Sequence, residues 1–484
     1  MATARRPTLV LAVLLFAGGT YALSQTLVVT ALPLLAEHFD ASPEATSWTL
    51  TAFLLSGAAC IPIVARLGDV YGKRRTLTIV MLVYCVGAAI NTVAESLPPL
   101  IVGRVLQGAA AGLFPLGFGI VRESFPRERV AGGLGAISAV FGVGAGIGLP
   151  LSGLVIDHLS ITWLFGIGLL GVPAAAATAL LLPESPRVPR QPIDWLGAVL
   201  LATSIGSVLL AVTQGNRWGW ASAPTVAALA TGSLLAVVLV RHTGRTSAPL
   251  LDLGMLRDRR VAIANLTIFL VGASMFIAFV LNPQLALTDP AAGFGFGTTP
   301  TVAGLLLLST ALSQLVVGPL AGQIGARIGF RALMMGGTVL LVAAGAWMVF
   351  LHGHEWDLVI GGLLLGTGIA CASAAAANVL ADAVPPAQFG VATGMNTVLR
   401  TAGGAFGAAI ATACLTGHTA AGGEAPAEGA FTLGFAIAAV IGAAAFVAAW
   451  RLPRSGGVRR PPASPRRGSS AGARRSRRSS DTPA

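Results

Sequence analysis

The sequence predicts an all-α polytopic membrane protein with fourteen transmembrane helices, and three observations predict it. Only 10% of the 484 residues are charged while 55% are hydrophobic, and the mean hydropathy is +0.79. Soluble domains carry about 25% charged residues, so most of this surface has to face an apolar solvent, which is lipid. The second observation is a series of fourteen apolar runs, each near the roughly 20 residues that a helix needs to cross the hydrocarbon core. The third is that the basic residues fall in alternate loops.

In chain order, the predicted spans are 9–34, 47–65, 76–94, 98–121, 133–156, 161–182 and 195–213. They continue with 224–241, 261–283, 301–324, 331–350, 357–382, 389–414 and 430–450. Arg5 and Arg6 precede the first run, as in a signal peptide. That run exceeds the roughly 7–15 residues of a signal-peptide apolar core and lacks a small-residue cleavage site before the next one. It is expected to be a permanent helix. The uninterrupted runs do not alternate in and out as the strands of a membrane barrel do.

An even number of spans puts both termini on one side. With that side cytoplasmic, 28 of the 31 basic residues are cytoplasmic, Arg217 faces outward, and Arg104 and Arg400 are intramembrane. This is the positive-inside bias, and a count wrong by one helix would scramble it. The expected location is a bacterial inner membrane, multi-pass, with the lipid bilayer as the first partner.

Three blocks repeat along the chain. Ala65–Arg74 matches Gly322–Arg331 at an offset of 257, and Gly103 and Gly108 match Gly361 and Gly366 at 258. Pro126, Gly135, Gly144 and Gly148 match Pro385, Gly394, Gly403 and Gly407 at 259. Residues 1–190 and 260–450 therefore read as two six-helix halves in parallel orientation, and residues 191–259 hold two extra helices and a cytoplasmic linker. Residues 451–484, rich in Pro, Ser, Gly and Arg, read as a disordered cytoplasmic tail. This tail carries +9 of the net charge of +12. Positive charge on a tail rather than on a folded face argues against nucleic-acid binding. Binding to anionic head groups and a topological role both remain open for it.

No enzymatic constellation is present. The cysteines Cys60, Cys85, Cys371 and Cys414 lie far apart in apolar runs and lack metal-ligand spacing. The segment His352–Asp357 is weighed as a metal site and set aside, because no fixed helix aligns its ligands. Neither a metal nor a cofactor is expected.

The segment Ala65–Leu77 places Leu67, Gly68, Asp69, Gly72, Lys73, Arg74 and Leu77 in the register of a Gly-x-Leu-Ala-Asp-Arg-x-Gly-Arg-Lys-x-x-Leu loop, with Ala65 and Val70 departing from it. In this it resembles the signature loop of the major facilitator superfamily. Arg104, Gln107 and Gly108 resemble that family's Arg-x-x-Gln-Gly element. Gly144, Gly148, Pro150 and Gly153 resemble a degraded Gly-Pro-x-x-Gly-Gly element of its antiporters, with Leu149 out of pattern. Thr26–Pro33 resembles a stretch of the fourteen-helix drug–proton antiporter branch, whose members carry an Asp two residues before the Thr. Here that position is Ser24, and no carboxylate is assigned to proton binding.

The resemblance implies the major facilitator fold, two pseudosymmetric halves around a central site. It implies gating by Asp69, Gly72, Lys73 and Arg74 with the counterparts Gly329 and Arg331, and coupling through Arg104, Gln107 and Gly108. Close packing and bending between the halves would fall to Gly144, Gly148, Pro150 and Gly153. Arg104, placed less than two turns from the outer end, either faces the interior or snorkels. Ser24, Gln25, Asn265, Gln314, Asn396 and Arg400 are candidates for the substrate cavity, each weighed against a role as interhelical glue. The expected function is export of amphipathic or cationic organic compounds by a monomer, driven by protons. A narrow metabolite transporter of the same fold is the alternative, and a non-transporting receptor is a third.

Overall fold

A computed structural model describes residues 7–184, 194–246, 257–385, 388–417 and 426–453, and no strand occurs among them. The helices are α1 (Pro7–His38), α2 (Pro43–Tyr71), α3 (Lys73–Thr92), α4 (Leu97–Ser124), α5 (Arg127–His158), α6 (Ile161–Leu181) and α7 (Trp195–Trp218). They continue as α8 (Ala223–Thr243), α9 (Arg259–Leu287), α10 (Pro300–Ile328) and α11 (Phe330–Phe350). The last three are α12 (Glu355–Ala383), α13 (Phe389–Gly417) and α14 (Glu428–Trp450). All but α5 contain a described stretch long and apolar enough to span a membrane, 13 in number. α5, at 32 residues, stands where the fifth span is expected. The basic tail beyond Pro453 and most of the linker after α8 lie outside the described residues.

Most helices overrun a predicted edge, and at α2 this changes the placement of a motif. The run predicted over 47–65 continues as helix to Tyr71 and ends on Gly72, whose φ of 98° suits a residue without Cβ. Asp69 is therefore in the last helical turn rather than in a loop. Gly329 ends α10 in the same way, with φ 93°. The likeness continues one turn further on. Arg74 donates to the Leu182 carbonyl at the end of α6, at 3.4 Å, and Arg331 donates to the Trp450 carbonyl at the end of α14, at 2.5 Å. Each cation faces the partly negative end of a helix.

Without a hydrophobic drive between helices in lipid, association depends on close backbone approach at small residues. α9 crosses α13 this way: a Cβ on Gly272 would stand 2.2 Å from the Arg400 carbonyl, and one on Gly403 1.9 Å from that of Phe269. The matching crossing of α1 on α5 puts Gly144 against Ala22 and Gly148 against Thr26. The interface between α1–α6 and α9–α14 runs chiefly along α5 with α10, and also along α5 with α12, α2 with α13 and α4 with α13. On the first pair, Gly135 of α5 backs onto the Gly318 carbonyl, and Gly322 of α10 onto that of Ala131. α7 lies against both α2 and α13, where Asn216 donates to the Ala409 carbonyl at 2.9 Å, and α8 packs on α7.

Gly403→Ala forces a methyl into the Phe269 carbonyl and is expected to destabilise the protein by about 1–3 kcal/mol, as overpacking does. A Cβ on Gly336 meets nothing within 4 Å, so Gly336→Ala is expected to be neutral or stabilising. Thermal unfolding of the two purified variants checks this, and equal midpoints would contradict it.

Candidate functional site

Among the described residues Arg104 is the largest fully buried side chain, at 1% exposure. This rules out snorkelling. Its Nε donates to the Thr49 carbonyl of α2 at 3.0 Å, and its Nη1 to the Ser24 carbonyl of α1 at 2.9 Å and to Gln107 Oε1 at 3.0 Å. The guanidinium lies 4.2 Å over the centre of the Phe53 ring, which adds a cation–π attraction. Gln107 Oε1 also accepts from Asn91 of α3 at 2.9 Å. Ser24 and Tyr84 share a short hydroxyl–hydroxyl hydrogen bond, and Tyr84 also reaches the Thr20 carbonyl at 3.3 Å. Gly108 brings α4 onto the backbone of α2 at Phe53. One guanidinium thus ties α1, α2 and α4 together through carbonyl groups and a ring face, and none of these partners is a carboxylate.

A second cluster closes the interface at the end that carries Asp69 and Arg74, here called the basic end. Lys73 lies 3.3 Å from Asp69 and 2.5 Å from Glu123 of α4, while Arg74 pairs with Glu184 at 2.9 Å. The Asp69 carboxylate, 4% exposed, faces the first turn of α13, where a Cβ on Gly390 would stand 3.2 Å from its Oδ2. Arg122 donates to the Ala381 and Val384 carbonyls at the end of α12, at 2.7 and 3.3 Å, and lies 4.5 Å over the Phe389 ring. An acid at a helix N-terminus and a base at a helix C-terminus both complement the helix dipole, each by about 0.3–1 kcal/mol and more when partly buried.

Between these levels lies a small cavity at the centre of the interface. α5 contributes Ser138, α12 Ser373 and Ala377, and α13 Thr393, Asn396, Thr397 and Arg400, while Phe118 of α4 and Ile268 of α9 complete an apolar part of the wall. Of the predicted cavity residues, the structure brings Asn396 and Arg400 to its wall. Asn265 stands behind it and accepts from Asn396 at 3.0 Å. Ser24 belongs to the Arg104 network, Gln314 is buried and bonds its own helix at the Thr310 carbonyl at 3.3 Å, and Gln25 is half-buried on α1.

The glycines expected between the halves are placed differently. Gly144 and Gly148 face α1, because the α5 surface that meets α10 is the one with Gly132 and Gly135; Pro150 does meet α10, at Gly304. The side-chain surroundings of Gly153 lie outside the described residues. His352 meets Glu428 at 3.0 Å, and His354 with Asp357 forms the N-terminal cap of α12. Sequence reasoning missed Arg122, Ser373 and Asn91. Asn91, a lone amide in the third apolar run, carried a usable signal, and so did Ser373 amid alanines.

Comparison with known proteins supplies the family. The sequence model of the Major Facilitator Superfamily matches residues 14–287 and 264–481, nearly the whole chain. The chain belongs to the Major Facilitator Superfamily. Among the family's members, Multidrug resistance protein Stp of Mycobacterium tuberculosis is 28% identical over 392 residues, 80% of this chain and 72% of that protein. A probable actinorhodin transporter of Streptomyces coelicolor is 26% identical over 411 residues, 80% of this chain and 69% of that one. The crystal structure of the human organic anion transporter MFSD10 superposes with a TM-score of 0.63 at 18% identity, over 92% of this chain and 99% of that one. At that identity the likeness concerns the fold alone. The chain is thus a multi-pass membrane protein with the major facilitator fold.

Val384, 5% exposed, is covered at the closed basic end. A cysteine placed there by Val384→Cys is expected to react slowly with a bulky maleimide, and several-fold faster once Arg122→Ala removes the clamp. Equal rates in the two backgrounds would show that Arg122 does not hold this end shut.

Proposed function

We propose that this protein exports amphipathic organic compounds from a bacterial cytoplasm by proton antiport, acting as a monomer in the inner membrane with both termini inside. Residues 1–190 and 260–450 rock about the central cavity, so that the cavity opens to one side at a time. The observation that carries this reading is the closure of the basic end by Asp69 and Arg122 against helix ends of the other half, with a cavity of mixed polar and apolar lining behind it. Such contacts are strong enough to hold one state and weak enough to exchange for another. The positive-inside distribution, 28 of 31 basic residues, supports the orientation. The names of the mycobacterial and streptomycete relatives support export.

Lys73, Arg74 and Asp69 are the gating residues in this account, with Gly72 and Gly329 as their turns. Arg104, Gln107 and Gly108 couple movement of α4 to α1 and α2. A second reading, a facilitator of narrower specificity, is favoured by one observation. Ser24, where the related antiporters carry an acid, is bonded to Tyr84 rather than open to a proton path.

Proteoliposomes loaded with a pH-sensitive dye separate the two readings. Antiport predicts proton flux that depends on added compound and is lost in Arg104→Ala. Compound movement without proton flux would establish the facilitator and overturn antiport.

A further inference from the structure

The central cavity has a chemical polarity of its own. Its wall holds Arg400, a permanent cation, eleven residues into α13 from Phe389, so about 16 Å along the helix axis and near mid-membrane. None of the described residues lining it is acidic. A guanidinium at mid-membrane costs about 2.5–3.5 kcal/mol on insertion scales and marks function by default. The Gly272 crossing under the Arg400 backbone fixes the point on α13 from which that side chain extends.

The neutral groups of the wall sort by the direction of their hydrogen bonds. Ser138 donates to the Leu134 carbonyl at 2.8 Å, Thr393 to that of Phe389 at 2.9 Å, and Thr397 to that of Thr393 at 2.9 Å. A hydroxyl has one hydrogen, so these three present only lone pairs to the cavity. Ser373 differs: it is 5% exposed, and its buried hydroxyl has no hydrogen-bond partner. A polar atom left so is costly unless a ligand meets it. The wall therefore offers a cation, the Ser373 hydroxyl and the Asn396 amide, of whose two N–H groups one donates to Asn265, with acceptors around them.

We propose that this cavity receives organic anions, seating a carboxylate or phenolate oxygen against Arg400 and Ser373 while hydroxyl or amide donors of the same molecule meet Thr393, Thr397 and Ser138. The proposal rests on the export reading only in taking the cavity as the substrate site. It replaces the cationic class expected from the sequence, because a cation there would face Arg400 without a counter-charge in the wall.

The test uses two dyes on one xanthene frame, fluorescein as the anion and rhodamine 6G as the cation. Their binding to the purified full chain is followed by fluorescence anisotropy. Wild type is expected to bind fluorescein about tenfold more tightly than rhodamine 6G, and Arg400→Gln to weaken fluorescein by about tenfold, the size of one charge-assisted hydrogen bond. Ser373→Ala should weaken it less, and Arg400→Lys should retain most of it. Equal or tighter binding of rhodamine 6G by wild type, no binding of fluorescein, or unchanged fluorescein affinity in an Arg400→Gln protein that still unfolds cooperatively would each overturn the proposal. Efflux from vesicles separates the two readings. Arg400-dependent fluorescein binding without transport of either dye defeats export and leaves the anion site standing. Rhodamine 6G transport indifferent to Arg400→Gln does the reverse.

Discussion

Arg122 leaves the end of α4 and lays its guanidinium on the last carbonyls of α12 and the ring of Phe389. Asp69, from the end of α2, faces the first turn of α13. Arg122 is hydrogen-bonded to the end of a helix and Asp69 lies beside the end of another without a hydrogen bond from its Oδ2; helix ends are where unsatisfied backbone groups are exposed. Such contacts are strong when the ends are dry and weak when water reaches them, because screening removes most of their attraction. A closure of this kind is stable while shut and inexpensive to lose once open. The cavity above it and the length of the α5–α10 contact have meaning only in relation to that closure.

The interior obeys a stricter rule. In lipid, polar backbone and side-chain groups must find partners inside the protein. Arg104 meets it at Nε and Nη1 with two carbonyls, an amide and a ring face, while its Nη2 has no hydrogen-bond partner. Removing it would loosen α1, α2 and α4 from one another at once, so a change in its surroundings is felt by three helices. Ser24 contributes its backbone carbonyl here and its hydroxyl to Tyr84. The side chain that differs from the related antiporters is therefore not the group that holds the arginine, and the network survives the substitution.

The order of helices was legible in the sequence because hydrophobic length is read directly from composition along the chain. The turns at Gly72 and Gly329 were legible for a local reason, since glycine is placed where φ is positive. Arg104 stood out because a cation in an apolar run has few explanations. The closure was not legible. Arg122 read as one more basic residue near a helix end, and its partners lie some 260 positions away, at Ala381 and Val384. Gly144 and Gly148 were assigned to the wrong neighbour because a glycine reports close approach and not which helix approaches. The cavity's polarity depends on which hydroxyl hydrogens are already engaged, as at Thr393 but not at Ser373, and a sequence carries no record of that.

The most direct measurement of whether the closure is one of two states is a pair of spin-label distances. One pair, Arg75→Cys with Arg327→Cys, spans the basic end, and the other, Glu95→Cys with Glu355→Cys, the opposite end; all four positions are exposed. Pulsed electron spin resonance is expected to find a longer basic-end distance appearing together with a shorter distance at the other end, in proportions that change with pH or with bound compound. A single unchanged distance for each pair under every condition would contradict a carrier built on this closure.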